Sequence, residues 1–360
     1  MNSLRPETYD SLTGLRFVLS IWIAVFHLGD MYDPQGFGAW AIMRAGAARV
    51  DVFFVLSGFV LTHIYWARSK ASFQYRNFLR ARFARLYPLH LLALGLLCGL
   101  VVAAHVVGQG AQTRHFTLTG LIANLALLQA WAIPGANVWN FPAWTISAEF
   151  FGYLIFPLLL IPAVRLRSRP WVFVCLSLGV VLTIDLLFRQ FLGRTLTRTT
   201  VDLGILRGAS VMWVGVAARV LFERLHLTSL QALVVIVFGA AIALGGAMMA
   251  LPTAVVALGG AMLVIGLAAR DITRQASAYA TGLDHPAMVK LGGWSYAIFI
   301  LHVPIFMAME NVAKILGTNL PINPVTVLIM VSVLIGLAAV AHIWVEEPAR
   351  KWLRGPTASV

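Results

Sequence analysis

Charge is scarce in this sequence. Only 11% of its 360 residues are Asp, Glu, Lys or Arg, against 60% hydrophobic, and the mean hydropathy is +0.84. A soluble domain carries about 25% charged residues, so a water-soluble globular fold is excluded and a membrane is the solvent the composition requires. Acidic residues are the scarcest, 14 against 27 Lys and Arg, for a formal net charge of +13. The arginines sit in short clusters between apolar runs, the pattern set by the positive-inside rule, so the excess marks topology and no nucleic-acid partner is expected. The only two cysteines, Cys98 and Cys175, lie within apolar runs, which excludes a disulfide framework and a thiolate metal site; no metal is expected. Internal repeats, low-complexity tracts and Gly/Ser linkers are absent. The chain therefore reads as one transmembrane domain over 1–355 with a short C-terminal tail, 356–360.

What is present is a series of long apolar stretches, at about 12–32, 47–66, 86–107, 143–163, 170–189, 204–222, 229–249, 252–269, 291–313 and 323–345. Each approaches the roughly 20 residues that a spanning helix needs. The first contains Arg16 and His27 and is followed by no small-residue cleavage pattern, so it is a retained span and not a signal peptide. The expected fold is all-α and polytopic, with about ten transmembrane helices. An eleventh stretch, 117–133, is shorter and carries Asn124 and Gln129; it is expected to be a re-entrant or surface helix. With that count, basic clusters fall on alternate sides: Arg68, Lys70, Arg76, Arg80, Arg82 and Arg85; then Arg165, Arg167 and Arg169; then Arg219 and Arg224; then Arg270, Arg274 and Lys290; then Arg350, Lys351 and Arg354. Both termini are thus expected in the cytoplasm. Arg189, Arg194 and Arg198 dissent, either lining an outer acceptor site or simply breaking the rule.

Ionisable groups at membrane depth are costly and face a partner or a water-filled cavity, so each is a candidate functional residue. His27 lies eleven residues beyond Arg16, about 16 Å deeper at 1.5 Å per residue. Asp51 and Glu149 enter from the opposite side and are expected at the depth of His27. A histidine with carboxylates beside it suits general base catalysis: one nitrogen is held by an acceptor while the other removes a proton from an attacking hydroxyl. The bland alternatives are a histidine that bridges helices and carboxylates that neutralise a nearby arginine such as Arg207. His302, Ser57, Tyr296 and Arg207 are expected along the same channel. Arg82 and Arg85, three apart near the level of Arg16, form a guanidinium group suited to phosphate or, equally, to lipid headgroups.

Six segments in order resemble the acyltransferase family 3 membrane proteins: Gly14, Leu15, Arg16 and His27; DVFFVLSGF (Asp51 to Phe59); RFARLYP (Arg82 to Pro88); WTISAEFFGY (Trp144 to Tyr153); WSYAIFILHVP (Trp294 to Pro304); and VEEPAR (Val345 to Arg350). The resemblance covers most of the chain. It implies that Arg16, Arg82 and Arg85 bind the thioester donor acyl-CoA, most simply acetyl-CoA, and that His27 is the catalytic residue. Glu149 and His302 fall at other recurrent positions of the family. Its members acylate hydroxyls of surface polysaccharides, lipopolysaccharide, other glycans and macrolides, so the expected partners are acyl-CoA, a glycan or glycolipid acceptor and membrane lipids, in a bacterial inner membrane. The sequence departs from the family at Thr13 and Phe299, where aspartate and tyrosine are common, and at Phe150, Phe151 and Gly152 after the glutamate. The rival expectation is a transporter or flippase for an acylated or anionic substrate, since buried histidines and carboxylates also serve proton relays.

Overall fold

The computed structural model describes residues 8–36, 38, 40–66, 73–136, 139–273, 281–318 and 320–354. Arg68, Lys70, Arg274 and the 356–360 tail lie outside the described residues. The helices are α1 (Asp10–Tyr32), α2 (Ala41–Arg44), α3 (Arg49–Trp66), α4 (Tyr75–Val106), α5 (Leu118–Leu125), α6 (Trp144–Leu154), α7 (Phe156–Arg165), α8 (Pro170–Leu192), α9 (Gly204–Phe222), α10 (Ser229–Met248), α11 (Thr253–Thr273), α12 (Pro286–Gly293), α13 (Ser295–Ile315), α14 (Pro324–Ala341) and α15 (Glu347–Arg354). No strand forms among the described residues. Among those residues eight helices are long and apolar enough to cross a membrane, and the bent pair α6–α7 makes a ninth. The 18 residues of α3 add a rise of about 27 Å beside them. The protein is a polytopic all-α membrane protein.

Polar ties gather alternate helix ends on one face, here called the basic face. Ser11 N of α1 meets Asp271 of α11 at 2.9 Å, Arg270 of α11 meets Ser229 of α10, Arg167 meets Glu223 after α9 at 3.5 Å, and Arg80 of α4 meets the Leu353 carbonyl of α15. Two of the three dissenting arginines are neutralised near the opposite, far face: Arg189 pairs with Asp185 and Arg194 with Asp202, both at 2.8 Å.

The eight residues of α5 are too few to cross. The chain after α5 turns back, and Ala132 N donates to Val201 O in the α8–α9 connection. The N–H groups of its buried amides are satisfied internally, as a membrane interior demands: Asn124 donates to Gly120 O and Ala136 O, and Gln129 donates to Asn124 Oδ1 at 3.1 Å, while Gln129 Oε1 has no donor among the described residues. The segment is thus a short helix with a returning loop and not a span, as either a re-entrant or a surface helix would be.

The bend of 55° between α6 and α7 follows from Pro157, which has no N–H for the carbonyl of Tyr153 and whose ring crowds it. Pro304 within α13 likewise frees the carbonyl of Ile300, and Asn140 Nδ2 donates to that oxygen at 3.0 Å. Helices α3 and α9 pack almost backbone to backbone. A Cβ at Gly58 would collide with the Met212 carbonyl, and one at Gly215 with the Val55 carbonyl.

Candidate active site

Between α1, α3, α4, α6 and α13 lies a cavity of about 280 Å³. At the end nearer the basic face it is lined by Thr8, His63 and Arg82, and it extends along α3 as far as Val50. The fourteen residue steps from Val50 to Ile64 correspond to about 21 Å of helix, so the cavity is elongated along α3. Arg16, Arg82, Arg85, Ser57, Glu149 and Tyr296, all expected from the sequence, line it.

Two of the three guanidiniums hold their forks open. Arg16 and Arg85 make no hydrogen bond or ion pair to the described residues. Arg82 is 5% exposed; one of its NH2 nitrogens lies 3.4 Å from the Tyr65 hydroxyl, and its Nε has no acceptor. A buried guanidinium N–H without a partner is unfavourable, and an anionic oxygen at the cavity mouth would satisfy it. Glu149 balances this charge from α6: it accepts from Ser57 Oγ at 2.8 Å and from the Tyr153 hydroxyl, one turn on in the same helix, with Arg16 in electrostatic reach. Tyr296 donates to Leu86 O across to α4, fixing that wall.

Beyond the deep end of the cavity stand His27 and His302. Their Nδ1 and Nε2 atoms are 2.8 Å apart. The ring planes differ by 10° and the centroids are 5.0 Å apart, so with nitrogens so close the rings lie edge to edge along the hydrogen bond and not face to face. His302 Nδ1 is 2.6 Å from Phe299 O. A carbonyl only accepts, so His302 carries its proton on Nδ1 and presents Nε2 as an acceptor. His27 must then donate from Nδ1, which leaves its Nε2 as a free lone pair. Neither histidine lines the cavity; the Phe299 ring lies between, 6.4 Å from Phe53 on the cavity wall and 6.0 Å from His302.

The expected triad of His27, Asp51 and Glu149 does not form. Asp51 is fully buried against Arg207, whose Nε and one NH2 nitrogen donate to both its oxygens at 2.7 and 3.1 Å. Arg207 also donates to Thr199 O at 3.0 Å and lies over the Trp144 ring. The pair joins α3 to α9 away from the cavity, so Arg207 is not a channel residue, and the neutralising role considered for Asp51 is the one it has. Glu149 faces the cavity and not His27. His302 stands where a carboxylate was expected.

Arg49 is a residue that sequence reasoning missed. It is 2% exposed and donates to the carbonyls of Gly46, Trp22 and Met43 at 2.8, 2.9 and 3.3 Å. Its guanidinium lies over the rings of Trp22 and Phe26, and Phe26 adjoins His27. No carboxylate pairs with it among the described residues, so a fixed positive charge stands near the histidine pair. An arginine two residues before Asp51 was the available signal.

The family described as an acyltransferase domain matches residues 9–342, a span that holds both histidines and every residue of the cavity wall except Thr8. The chain belongs to acyltransferase family 3. Among curated proteins, this family 3 chain is 29% identical over 381 aligned residues to the acyltransferase MdmB of Streptomyces mycarofaciens, covering 97% of this chain and 94% of that one. A shorter match, 36% identical over 111 residues, is to protein 2 in the picA locus of Rhizobium radiobacter, covering 30% of this chain and 53% of that protein. No solved structure matches. The protein is thus a membrane acyltransferase.

Proposed function

We propose that this acyltransferase moves an acyl group, most simply acetyl, from acyl-CoA at the cytoplasmic face to a hydroxyl of a sugar-containing acceptor, with His27 as general base. The basic face is the cytoplasmic one by the positive-inside rule, which places both termini inside; a bacterial inner membrane is the setting. The residues present fit a donor site, since open guanidinium forks and the orphaned Nε of Arg82 line a cavity that runs along α3 for a length that suits an extended thioester arm.

The observation that carries the reading is the hydrogen-bond chain from Phe299 O through His302 to His27. His27 Nε2 accepts the proton of the acceptor hydroxyl as its oxygen attacks the thioester carbonyl. His302 holds the imidazolium that forms by accepting from Nδ1–H, and is a positioning residue. As the tetrahedral centre collapses the C–S bond breaks, the His27 Nε2 proton passes to the departing sulfur, and the ester and the free thiol are released. The charge on Arg49 favours the oxyanion stage electrostatically. A sugar acceptor, free or as part of a polysaccharide, lipopolysaccharide or other glycolipid, would come from the far side, where α1 and α13 end above the histidine pair.

The test is transfer of label from radiolabelled acetyl-CoA to a panel of envelope glycans and hydroxylated metabolites, using membranes with wild-type protein or His27→Ala at matched expression. Label with wild type only supports the reading and names the acceptor class. Equal labelling removes His27 as the base, and gradient-driven movement of the acceptor without acylation replaces the enzyme reading by transport.

A further inference from the structure

The VEEPAR segment has no part in the chemistry above, yet its helix reaches the donor site. After α14 the chain makes a π-helical turn over His342–Glu346, a feature frequent at functional sites, and continues as α15. Arg80 donates to Leu353 O, which fastens α15 along the start of α4. Trp352 is 80% exposed, while Arg350 and Arg354, four residues apart and so on one helix face, are only partly exposed. Arg354 stands in electrostatic reach of Arg350, Arg82 and Arg85.

Helix α15 thus lies against the start of α4, which carries Arg82 and Arg85 of the cavity wall, and among the described residues none of Arg82, Arg85, Arg350 and Arg354 pairs with a carboxylate. The acids of the same segment are taken: His342 is 2.7 Å from Glu346 and 3.5 Å from Glu347. The Nε of Arg354, like that of Arg82, is buried without an acceptor. Like charges gathered in this way oppose one another unless an anion joins them. The supply of cations exceeds what one diphosphate neutralises, because Arg16 is already inside the cavity. A phosphomonoester adds about −1.5 to −2 of charge at neutral pH.

We infer that Arg350 and Arg354, with Arg82 and Arg85, form a second anion subsite at the cavity mouth that holds a phosphate separate from the donor's diphosphate, the 3′-phosphate of a coenzyme A nucleotide. The inference rests on the acyl-CoA reading above.

The experiment compares acetyl-CoA with 3′-dephospho-acetyl-CoA as donors, with purified protein in nanodiscs of zwitterionic lipid. For wild type the KM for the dephospho donor is about tenfold higher, the scale of one or two charge-assisted hydrogen bonds. In Arg350→Gln/Arg354→Gln the ratio of the two KM values falls to about one. Arg354→Lys, which keeps the charge and loses the fork, lies between and serves if the double variant fails to insert. Wild-type activity without donor preference, or equal weakening of both donors by the variant, overturns the inference alone. So does an effect that appears only when anionic lipid is added, which would make the arginines a lipid headgroup site. No transfer from either donor by wild type would overturn the acyl-CoA reading and the inference with it.

Discussion

His302 accepts the Nδ1 proton of His27 at 2.8 Å while its own Nδ1 donates to the carbonyl of Phe299. Under the proposed mechanism an imidazole here does the work that a carboxylate does in many catalytic dyads, without placing a negative charge beside His27.

His302→Phe removes that acceptor and keeps the volume roughly filled. The expected result is a fall in kcat of about a hundredfold, within the range for positioned acid–base groups, with little change in the KM for acyl-CoA. Steady-state kinetics in detergent or nanodiscs check it; a rise in donor KM at constant kcat would show that His302 binds substrate instead.

Glu149→Gln keeps a hydrogen-bond acceptor for Ser57 and Tyr153 but removes the charge opposite Arg16. Because Glu149 lines the donor cavity and does not touch His27, the donor KM changes, by less than about tenfold for a partly exposed pair, and kcat largely survives. A loss of about 10³ in kcat at constant KM, the mark of general base chemistry, would return Glu149 to the catalytic group.

Asp51→Asn leaves the Arg207 charge buried without its partner. Breaking one side of a buried ion pair costs about 3–5 kcal/mol, so this variant has a sharply lowered Tm in detergent, while Asp51→Leu/Arg207→Met recovers much of the loss. Transfer activity of the double variant, measured per folded protein, remains within a few fold of wild type if the pair is purely architectural.

Phe299→Leu thins the partition between the donor cavity and the histidine pair. Water then reaches a bound thioester more readily, and the ratio of acetyl-CoA hydrolysis to productive transfer rises. Free thiol release measured without acceptor reads this directly; unchanged hydrolysis would mean that Phe299 does not separate the compartments.

Spans were legible from hydropathy because lipid imposes a length on every crossing helix, and the failure of 117–133 to span was legible because Asn124 and Gln129 interrupt a run already too short. Arg16, Arg82 and Arg85 were placed together correctly, since all three start from one face and share a level. The triad was misplaced for a geometric reason. Depth is a single coordinate, while each residue turns the helix by about 100°, so equal depth left open which way Asp51 and Glu149 point. Asp51 turns to α9, Glu149 to the cavity. The partner of His27 is 275 residues away, beyond any local pattern, and Arg49 was hidden because its acceptors are backbone carbonyls, which carry no side-chain signature.

The open forks of Arg16 and Arg85 belong to the cavity wall, while the histidine pair stands beyond its deep end. A donor anchored by its phosphates at those forks sends only an uncharged arm across the hydrocarbon. Moving one elementary charge through a potential of 100 mV is worth about 2.3 kcal/mol, and under this arrangement no such charge moves. Under the proposed function, acylation on the far side would then run at the same rate in energised and de-energised vesicles.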